Sequence, residues 1–596
     1  MSSSSQSADP FKEGWIEEGL YYRGKNPPKS REWSDDDWVY MPHENYIPIS
    51  KSRIIKAMSD RLTGKMSDEQ LTPFVALLEG VYHFHYHKTL NALKEDYEYF
   101  SPSLGEQIRV GISTEELELR ERNFLVNFIQ LMIRGNFNPL GEAEHQQAEQ
   151  HSYLLDLPID VNWSIKDPTM YKKLFAYSQT EAGQDEIENR LGVNHLERYL
   201  DLPQDYEQRI MIFHRGISPD RTEGLFFMQK INQVIDKIFG LILKPLQKSV
   251  KTVSERTEHL VEGTLERGKG LLAGKPFAPR NLRTDEVSSE SSEEAIGSGV
   301  VFLPRWLRRT SLSNQPFSLG RLFKSSLLQE PAIERVICVF RQYPPSPPPL
   351  IRKLPLIGRF LKIPKPNETD PTIHVKLFQD IPLADLEIIF PEKHIRMKSF
   401  DKFMLGFLGF IGLVLGLMKG LGSGKGTLAV IFTVLGLLAF KTITRFINTR
   451  RRYMLQMSQD LYRKNLDNDL GVLQYLVDNI EDQEFKESFI AYMLLVEAGR
   501  PLTEAELDDA AERFINEAFN GLEVDFEVDD ALEKITVQLD ANGQEQPTQE
   551  QLSSTMFLPL VQEVIGDDGE TRYQAKPVAD ALEAMDYRWD NFFQYA

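Results

Sequence analysis

The chain has 596 residues, which is enough for several domains. Its single cysteine, Cys338, excludes intramolecular disulfides and cysteine-based zinc clusters, and it agrees with a reducing compartment. The formal net charge of −20 is unevenly spread, because residues 467–596 carry 7 Lys or Arg against 31 Asp or Glu. We therefore expect an acidic C-terminal part joined to a mildly basic remainder.

The N-terminal 224 residues divide into a polar tail and a helical part. Residues 1–44 are rich in Ser and Asp and lack periodicity, which predicts a disordered tail. They also lack the features of a secretory signal or a mitochondrial transit peptide. Residues 45–224 predict a mostly helical cytoplasmic domain, with a strand at 208–217. Its longest helix is expected at 67–97, where Ser67 and Gln70 have the spacing of a capping box.

Residues 225–330 predict a basic, amphipathic insertion that contains a Ser/Glu-rich linker. Within it, 302–329 mixes aromatic and basic residues without any acid, a composition that suits anionic lipid headgroups. Nothing arranges these residues to enter a nucleic-acid groove, so we expect no nucleic-acid partner. Residues 331–402 form a membrane-proximal segment with strands predicted at 335–342 and 374–380.

Two apolar segments, 403–418 and 427–447, predict a transmembrane helical hairpin. The first has 16 uncharged residues, so it spans a bilayer only if the flanking lysines extend outward; a buried hairpin of a soluble protein is the alternative. Basic residues on both flanks predict that both termini are cytoplasmic: Lys398, Lys402, Arg450, Arg451 and Arg452. Small residues at helical spacing predict close packing, within the hairpin or between copies in a homo-oligomer: Gly406, Gly409, Gly412 and Gly416.

Residues 448–596 predict an acidic domain of three helices, at 485–497, at 503–519 and from 529, followed by a β-hairpin at 557–576. This order is typical of a winged helix. Binding to DNA requires neutralisation of phosphates, which a formal charge of −24 opposes. A protein partner or a purely structural role is therefore favoured.

Three motifs suggest chemistry without establishing it. Glu79, His83 and His87 follow an i, i+4, i+8 spacing that could place metal ligands on one helix ridge, although surface histidines are commoner. A single Glu-x-x-His at 142–145 lacks the second copy that di-iron bundles need. The loop at 420–427 lacks the spacing of a phosphate-binding loop. We predict no catalytic residue and no cofactor.

The segment 375–391 resembles the signature of an uncharacterised membrane-protein family that includes transmembrane protein 143 of mitochondria. The resemblance is carried by Phe378, Pro382, Leu386, Glu387 and Pro391. Segments 46–53, 84–93, 524–526 and 531–532 are similar too. The resemblance implies a membrane-anchored protein of unassigned activity. Because the sequence lacks the features of a transit peptide, we expect the cytoplasmic membrane of a bacterial-type cell.

Together these features predict an α+β, mainly helical protein, anchored by the hairpin and carrying a winged-helix-like C-terminal domain. The favoured function is a non-enzymatic, membrane-anchored adaptor. It would rest on the lipid bilayer and present its acidic domain to a protein partner. The alternatives are an oligomeric channel or transporter subunit, and a metal-dependent enzyme built around Glu79, His83 and His87.

Overall fold

The computed structural model describes the helical and sheet-forming parts of the chain. The described residues are 14–16, 21–28, 38–41, 43–140, 159–161, 166–184, 209–226, 305–310, 323–343, 370–390, 393–395, 461–539, 544–548, 556–566 and 569–591, with isolated positions at 230, between 436 and 459, and at 551 and 554.

Helices dominate the first and last thirds of the described chain. In chain order they are α1 Lys51–Arg61, α2 Asp68–Glu98, α3 Gly105–Ile108, α4 Thr114–Arg134, α5 Thr169–Ser178, α6 Leu470–Ala498, α7 Glu504–Ala518, α8 Val528–Ile535 and α9 Val578–Asp590. The predicted capping box at Ser67 and Gln70 is present and begins α2. A second capping box joins Thr503 and Glu506 at the start of α7.

Short and long strands form four sheets in the described part of the chain. They are β1 Gly14–Ile16, β2 Tyr21–Arg23, β3 Trp38–Met41, β4 Asn138–Pro139, β5 Ile159–Val161, β6 Ile210–Gly224, β7 Arg305–Arg308, β8 Ser326–Arg341, β9 Ile373–Pro382, β10 Lys393–Ile395, β11 Asn465–Asn468, β12 Thr536–Val537, β13 Val561–Ile565 and β14 Thr571–Ala575. A 3-10 helix, Leu383–Ile389, follows β9.

The largest sheet has the order β11-β9-β8-β6-β4 and is antiparallel throughout. Strands β6 and β8 pair over almost their whole length, from Ile210 opposite Phe340 to Gly224 opposite Ser326. Strand β11 pairs with β9 although the 3-10 helix, β10 and residues 396–464 lie between them in sequence. The sheet is therefore assembled from distant parts of the chain.

One hydrophobic core joins the beginning and the end of the chain. Helix α6 packs against α2, and α9 packs on the same helix from another side. The core includes Ile54 of α1, Phe74 of α2, Phe213 of β6, Phe489 of α6 and Met585 of α9. A smaller cluster lies on the other face of the large sheet and contains Cys338 and Phe378. Neither cluster can form without residues far apart in sequence.

The prediction of a transmembrane hairpin is wrong. Among the described residues, no helix combines the length and apolar character that a bilayer crossing requires. The predicted first span is short: 16 helical residues reach about 24 Å, against a hydrocarbon core of about 30 Å. Of the second segment the structure describes Gly436, Phe440, Thr444 and Ile447, and the rest of both segments lies outside the described residues. The predicted membrane anchor and integral-membrane location are wrong for the same reason. The fold is mixed α/β with several sheets.

The C-terminal helices and the β-hairpin occur in the predicted order, but the first of these helices also packs against the N-terminal part of the chain. Helices α6, α7 and α8 precede the β13–β14 hairpin. Helix α6 begins 15 residues earlier than predicted, at Leu470, and ends at Gly499, whose φ of +62° suits glycine. It packs against α2 as well as α7 and α8, so it also serves the N-terminal part of the protein.

The N-terminal tail and the predicted insertion meet in one small sheet. Strands β1, β2 and β3, which lie in the tail predicted to be disordered, form a four-stranded sheet with β7 in the order β1-β2-β7-β3. Strand β7 carries Arg305 and Arg308 of the basic insertion. Where the structure describes them, these arginines are therefore part of a sheet.

Candidate functional site

The predicted histidine ridge lies on α2, and its members have separate partners. The Glu79 carboxylate is 2.9 Å from Lys51 Nζ. His83 Nδ1 is 3.1 Å from Glu481 Oε2 of α6, and its ring stacks on His87 with centroids 6.1 Å apart. His85 points inward instead, and burial lowers its pKa to about 3. The ridge is thus a surface row of charged and stacked groups.

The family-like residues divide between the core and the undescribed part of the chain. Phe378 and Leu386 are buried in the smaller hydrophobic cluster. Pro382 ends β9, and Glu387 lies in the 3-10 helix. Of the remaining predicted residues, the structure describes only Arg451, which is exposed. Those outside the described residues are Pro391, Lys398, Lys402, Gly406, Gly409, Gly412, Gly416, Arg450 and Arg452.

The most concentrated group of buried charges surrounds Lys534 of α8. Its ammonium pairs with Glu484 and Glu487 of α6 and with Asp530 of its own helix. Tyr86 of α2 donates a hydrogen bond of 2.8 Å to Glu484. Both Lys534 and Glu484 are almost completely buried. We call this group the Lys534 cluster.

The Lys534 cluster holds a fixed positive charge among carboxylates. Burial alone would lower the pKa of Lys534, but Glu484, Asp530 and Glu487 raise it well above its usual value. One oxygen from each of these three carboxylates lies within 4.8 Å of the others, which is the spacing of metal ligands. The ammonium balances one of the three carboxylates, and burial raises the pKa of Glu487 well above its usual value. The cluster joins α2, α6 and α8.

A second group of carboxylates lies at the surface, where α7 faces the segment 523–529. Helix α7 contributes Asp508 and Glu512, one turn apart, and the segment contributes Asp525 and Asp529 at the same spacing. Asp525 and Asp529 are exposed, Asp508 is half-buried and Glu512 is buried behind them. We call these four residues, together with the exposed Glu504, the acidic face.

The acidic face concentrates like charge. Burial, together with the carboxylates of Asp525, Asp509, Asp529 and Glu504, raises the pKa of Asp508 to about 7. Burial, together with the carboxylates of Asp508 and Asp525, likewise raises the pKa of Glu512 to about 8. The Phe526 backbone N–H donates to Glu512 and opposes the shift. One oxygen of Asp508, Oδ1, is buried without a hydrogen-bond partner in the described structure.

Neighbouring residues show how the protein itself neutralises such a carboxylate. Glu523, next to the acidic face, is buried and pairs with Arg23 of β2. Arg305 of β7 lies 3.7 Å from its second oxygen. The backbone N–H of Asp525 donates to the Glu44 carbonyl at 3.1 Å, so the N-terminal segment borders the face. Arginine side chains presented by strands are thus the natural complement of this region.

Sequence reasoning found the charge of this region but not the face itself. The total of −24 was evident, while the convergence of α7 with 523–529 depends on a turn at Asn520 and Gly521, both with positive φ. The i, i+4 repetition of acids at 508 and 512, and again at 525 and 529, was the available signal. Like charges at this spacing repel one another on a helix, so the pattern indicates where acidic side chains are concentrated.

Comparison with known proteins relates one part of the chain to a family. Residues 351–471 match the model of a family described as a protein of unknown function (DUF3754). This region includes β9, the 3-10 helix, β10 and β11, and it contains the residues of the predicted signature. No curated protein and no solved structure matches the chain. The chain therefore contains a DUF3754 region of about a fifth of its length.

Proposed function

We propose that the protein is a non-enzymatic adaptor that presents its acidic face to a basic protein partner. The observation that supports this proposal is the group of carboxylates at 508, 512, 525 and 529. The described side chains that shift the pKa values of Asp508, Glu512 and Asp525 are all carboxylates. A partner that brings cations to this face would relieve the repulsion between them.

The alternatives have less physical support. The channel hypothesis rested on the hairpin, and among the described residues no helix is long and apolar enough to span a membrane. The metal-enzyme hypothesis required Glu79, His83 and His87 to converge, whereas Glu79 and His83 pair with Lys51 and Glu481. The Lys534 cluster is buried and already carries its own cation. The acidic face combines exposure with unbalanced charge, which is what recognition of a charged partner needs.

The proposal is tested by reversing charge on the exposed part of the face. Tagged wild-type protein and an Asp525→Lys/Asp529→Lys variant are compared in quantitative cross-linking mass spectrometry, in lysate of the native cell. The control is Glu583→Lys/Asp586→Lys, which reverses two exposed acids on α9. We expect cross-links from the α7 region to a partner's basic segment to be lost in the first variant and kept in the control. Equal cross-linking of all three proteins would reject the proposal.

We also propose that the chain is related to the family that includes transmembrane protein 143, both within residues 351–471 and outside them. Two segments that resemble that family outside 351–471 lie close to one another. Glu44, two residues before Tyr46, forms a β-bridge with Val524, so segment 46–53 lies near segment 524–526. A structure of transmembrane protein 143 in which the corresponding segments lie far apart would contradict this relationship.

A further inference from the structure

Four aromatic side chains form a row across the small sheet β1-β2-β7-β3. Trp15 lies opposite Tyr22, Tyr22 lies opposite Trp306, and Trp306 lies opposite Tyr40. Residues directly opposite one another on neighbouring strands share a face of the sheet, so all four rings lie on one face. The outer pairs meet edge-to-face, with ring centroids 5.8 Å apart at β1–β2 and 5.5 Å apart at β7–β3. We call these four residues the aromatic row.

The aromatic row lies on the side of the sheet that faces away from the core. On the opposite face, Leu307 and Met41 are buried and pack with Ile217 of β6. The two ends of the row, Trp15 and Tyr40, are 43% and 47% exposed, and the two rings between them are half-buried. A continuous row of exposed rings is typical of a surface that binds a partner.

Carboxylates border one end of the aromatic row. Glu523 pairs with Arg23 and lies 3.7 Å from Arg305, and each of these arginines is next to a member of the row in sequence. Asp525, two residues further along, is exposed. Burial raises the pKa of Tyr40 and the charge of Asp525 adds to that effect, so this carboxylate acts on the ring at the end of the row. The acidic face and the aromatic row therefore adjoin.

Single-stranded nucleic acid also stacks its bases on aromatic rows, but it requires cations for its phosphates. Two arginines of this region are already engaged by carboxylates, Arg23 by Glu523 and Arg309 by Glu330. Asp525 would repel a phosphate. Aromatic rings beside a carboxylate instead suit a guanidinium group, because the rings attract and stack on its plane while the carboxylate accepts its N–H groups.

The protein holds arginines of its own in this way. The guanidinium carbon of Arg120 lies 5.2 Å from the centre of the Tyr99 ring, and Nη1 of the same group donates to Asp96 at 3.0 Å. The guanidinium of Arg215 lies between two rings, 4.6 Å and 4.5 Å from their centres. A partner's arginine on Tyr40, paired with Asp525, would repeat the first arrangement.

We infer that the aromatic row and Asp525 form a recognition site for arginine, so that the basic partner is an extended, arginine-bearing segment lying across the small sheet. Its guanidinium groups stack on the exposed rings of Trp15 and Tyr40, and one of them pairs with Asp525. This inference rests on the proposed function, because it names the chemistry of the partner that the acidic face recognises. A lysine ammonium is more strongly hydrated and has no plane to stack, so it gains less from the rings.

The test compares two peptides of equal charge. Binding of fluorescein-labelled hexa-arginine and hexa-lysine to the full chain is measured by fluorescence anisotropy at one pH and one ionic strength. We expect the dissociation constant for hexa-arginine to be about tenfold lower, because stacking favours arginine while the charge is the same. Tyr40→Leu should reduce this preference to about twofold and leave the affinity for hexa-lysine unchanged. The control is Tyr587→Leu, which removes an exposed tyrosine of α9 and should keep the wild-type preference.

The outcomes separate the inference from the function on which it rests. Circular dichroism establishes that each variant is folded, and Trp15→Leu replaces Tyr40→Leu if the latter is not. Equal affinity of the wild type for both peptides, or an arginine preference that the variant retains, would overturn the inference and leave the proposed function standing. Absence of binding to either peptide would reject the basic-partner function itself. Binding of a labelled oligothymidylate in place of both peptides would overturn the two together.

Discussion

At the scale of single residues, Lys534 connects more of the protein than any other side chain described above. Its ammonium reaches two carboxylates of α6 and one of α8, and through Glu484 it is linked to Tyr86 of α2. Desolvation of such a cluster is costly, so its contribution depends on the complete set of partners. Loss of one member leaves an uncompensated buried charge.

Replacing Lys534 by Met should therefore strongly destabilise the protein. The substitution leaves Glu484 and Glu487 buried without their cation, and we expect a loss of about 3–5 kcal/mol in the free energy of unfolding. Urea denaturation followed by circular dichroism measures it. Lys173→Met is the matched control, because Lys173 pairs with Glu118 at the surface and should contribute less than about 1 kcal/mol. Similar losses in both variants would contradict the role given to the cluster.

At the scale of elements, the contact between α2 and α9 depends on a glycine. A Cβ atom on Gly80 would lie 2.8 Å from Cζ3 of Trp589, so only glycine lets the indole lie against α2. Phe84 then meets the same ring edge-to-face, with centroids 5.2 Å apart. The last described helix is thus fixed to the longest one by an aromatic contact at its C-terminal end.

Gly80→Ala should displace Trp589 and loosen α9. We expect a loss of about 1–3 kcal/mol, typical of overpacking, together with a red shift of tryptophan emission as the indole moves into water. Thermal unfolding monitored by fluorescence gives both values. Adding Trp589→Leu to Gly80→Ala should recover most of the lost stability, because the smaller side chain makes room for the new methyl group. Failure of that recovery would show that Gly80 matters for another reason.

The packing of α7 on the segment 523–529 should weaken as pH rises. Carboxyl groups of the unfolded chain have pKa values of about 4, whereas the folded protein raises those of Asp508 and Glu512 to about 7 and about 8. The folded state therefore binds more protons between these limits. The stability that the protonated pair contributes is complete below pH 4 and is lost as pH rises through 7 and 8.

Melting temperatures between pH 5 and pH 8.5 measure this dependence. The wild-type value should fall across the range by more than that of Asp508→Asn/Glu512→Gln, which lacks both titrating groups. The α9 control, Glu583→Gln/Asp586→Asn, should follow the wild type. If the melting temperature of the double variant changes with pH as much as that of the wild type, Asp508 and Glu512 do not govern the pH dependence of stability.

Elements with local signals were predictable from the sequence, whereas elements defined by distant partners were not. Helices α2 and α7 each begin at a capping box, and both were predicted within about two residues. Helix α6 was predicted to start at 485, where an amphipathic pattern begins. Its true start is Leu470, and the buried polar side chains of Gln483 and Glu484 conceal the helical pattern. The pairing of β11 with β9 has no local signal at all.

The error over the hairpin has a related origin. Hydropathy measures how apolar a segment is, but crossing a bilayer also requires length, and the first segment had 16 residues. The acidic face was missed for a different reason. Composition shows how many acids a region has, and only the turn at Asn520 and Gly521 decides which of them meet.

At the scale of the whole molecule, the two ends of the chain share one core. Helix α6 packs between α2 and α8 and also contacts α4, α7 and the large sheet. Phe74 of α2 stacks on Tyr492 of α6 with ring centroids 4.8 Å apart. Removal of α6 would expose the apolar faces of most of the elements that surround it.

A fragment that ends at residue 469 should therefore fail to fold. We expect it to lack cooperative thermal unfolding and to be digested rapidly by a non-specific protease, since the buried face of α2 has lost its partner. Adding a separately produced fragment 470–596 should restore protease resistance if the two parts associate. A 1–469 fragment that unfolds cooperatively by itself would show that the N-terminal part has an independent core.

The packing of α6 against α2 also has a consequence during synthesis. A ribosome makes α2 hundreds of residues before it makes α6, which at about 5–20 residues per second is a delay of roughly 20 to 80 seconds. Throughout that interval the nascent chain carries the apolar face of α2 without the helix that covers it. The protein should depend on chaperones that bind emerging chains, and rare codons between 100 and 470 should lower its yield.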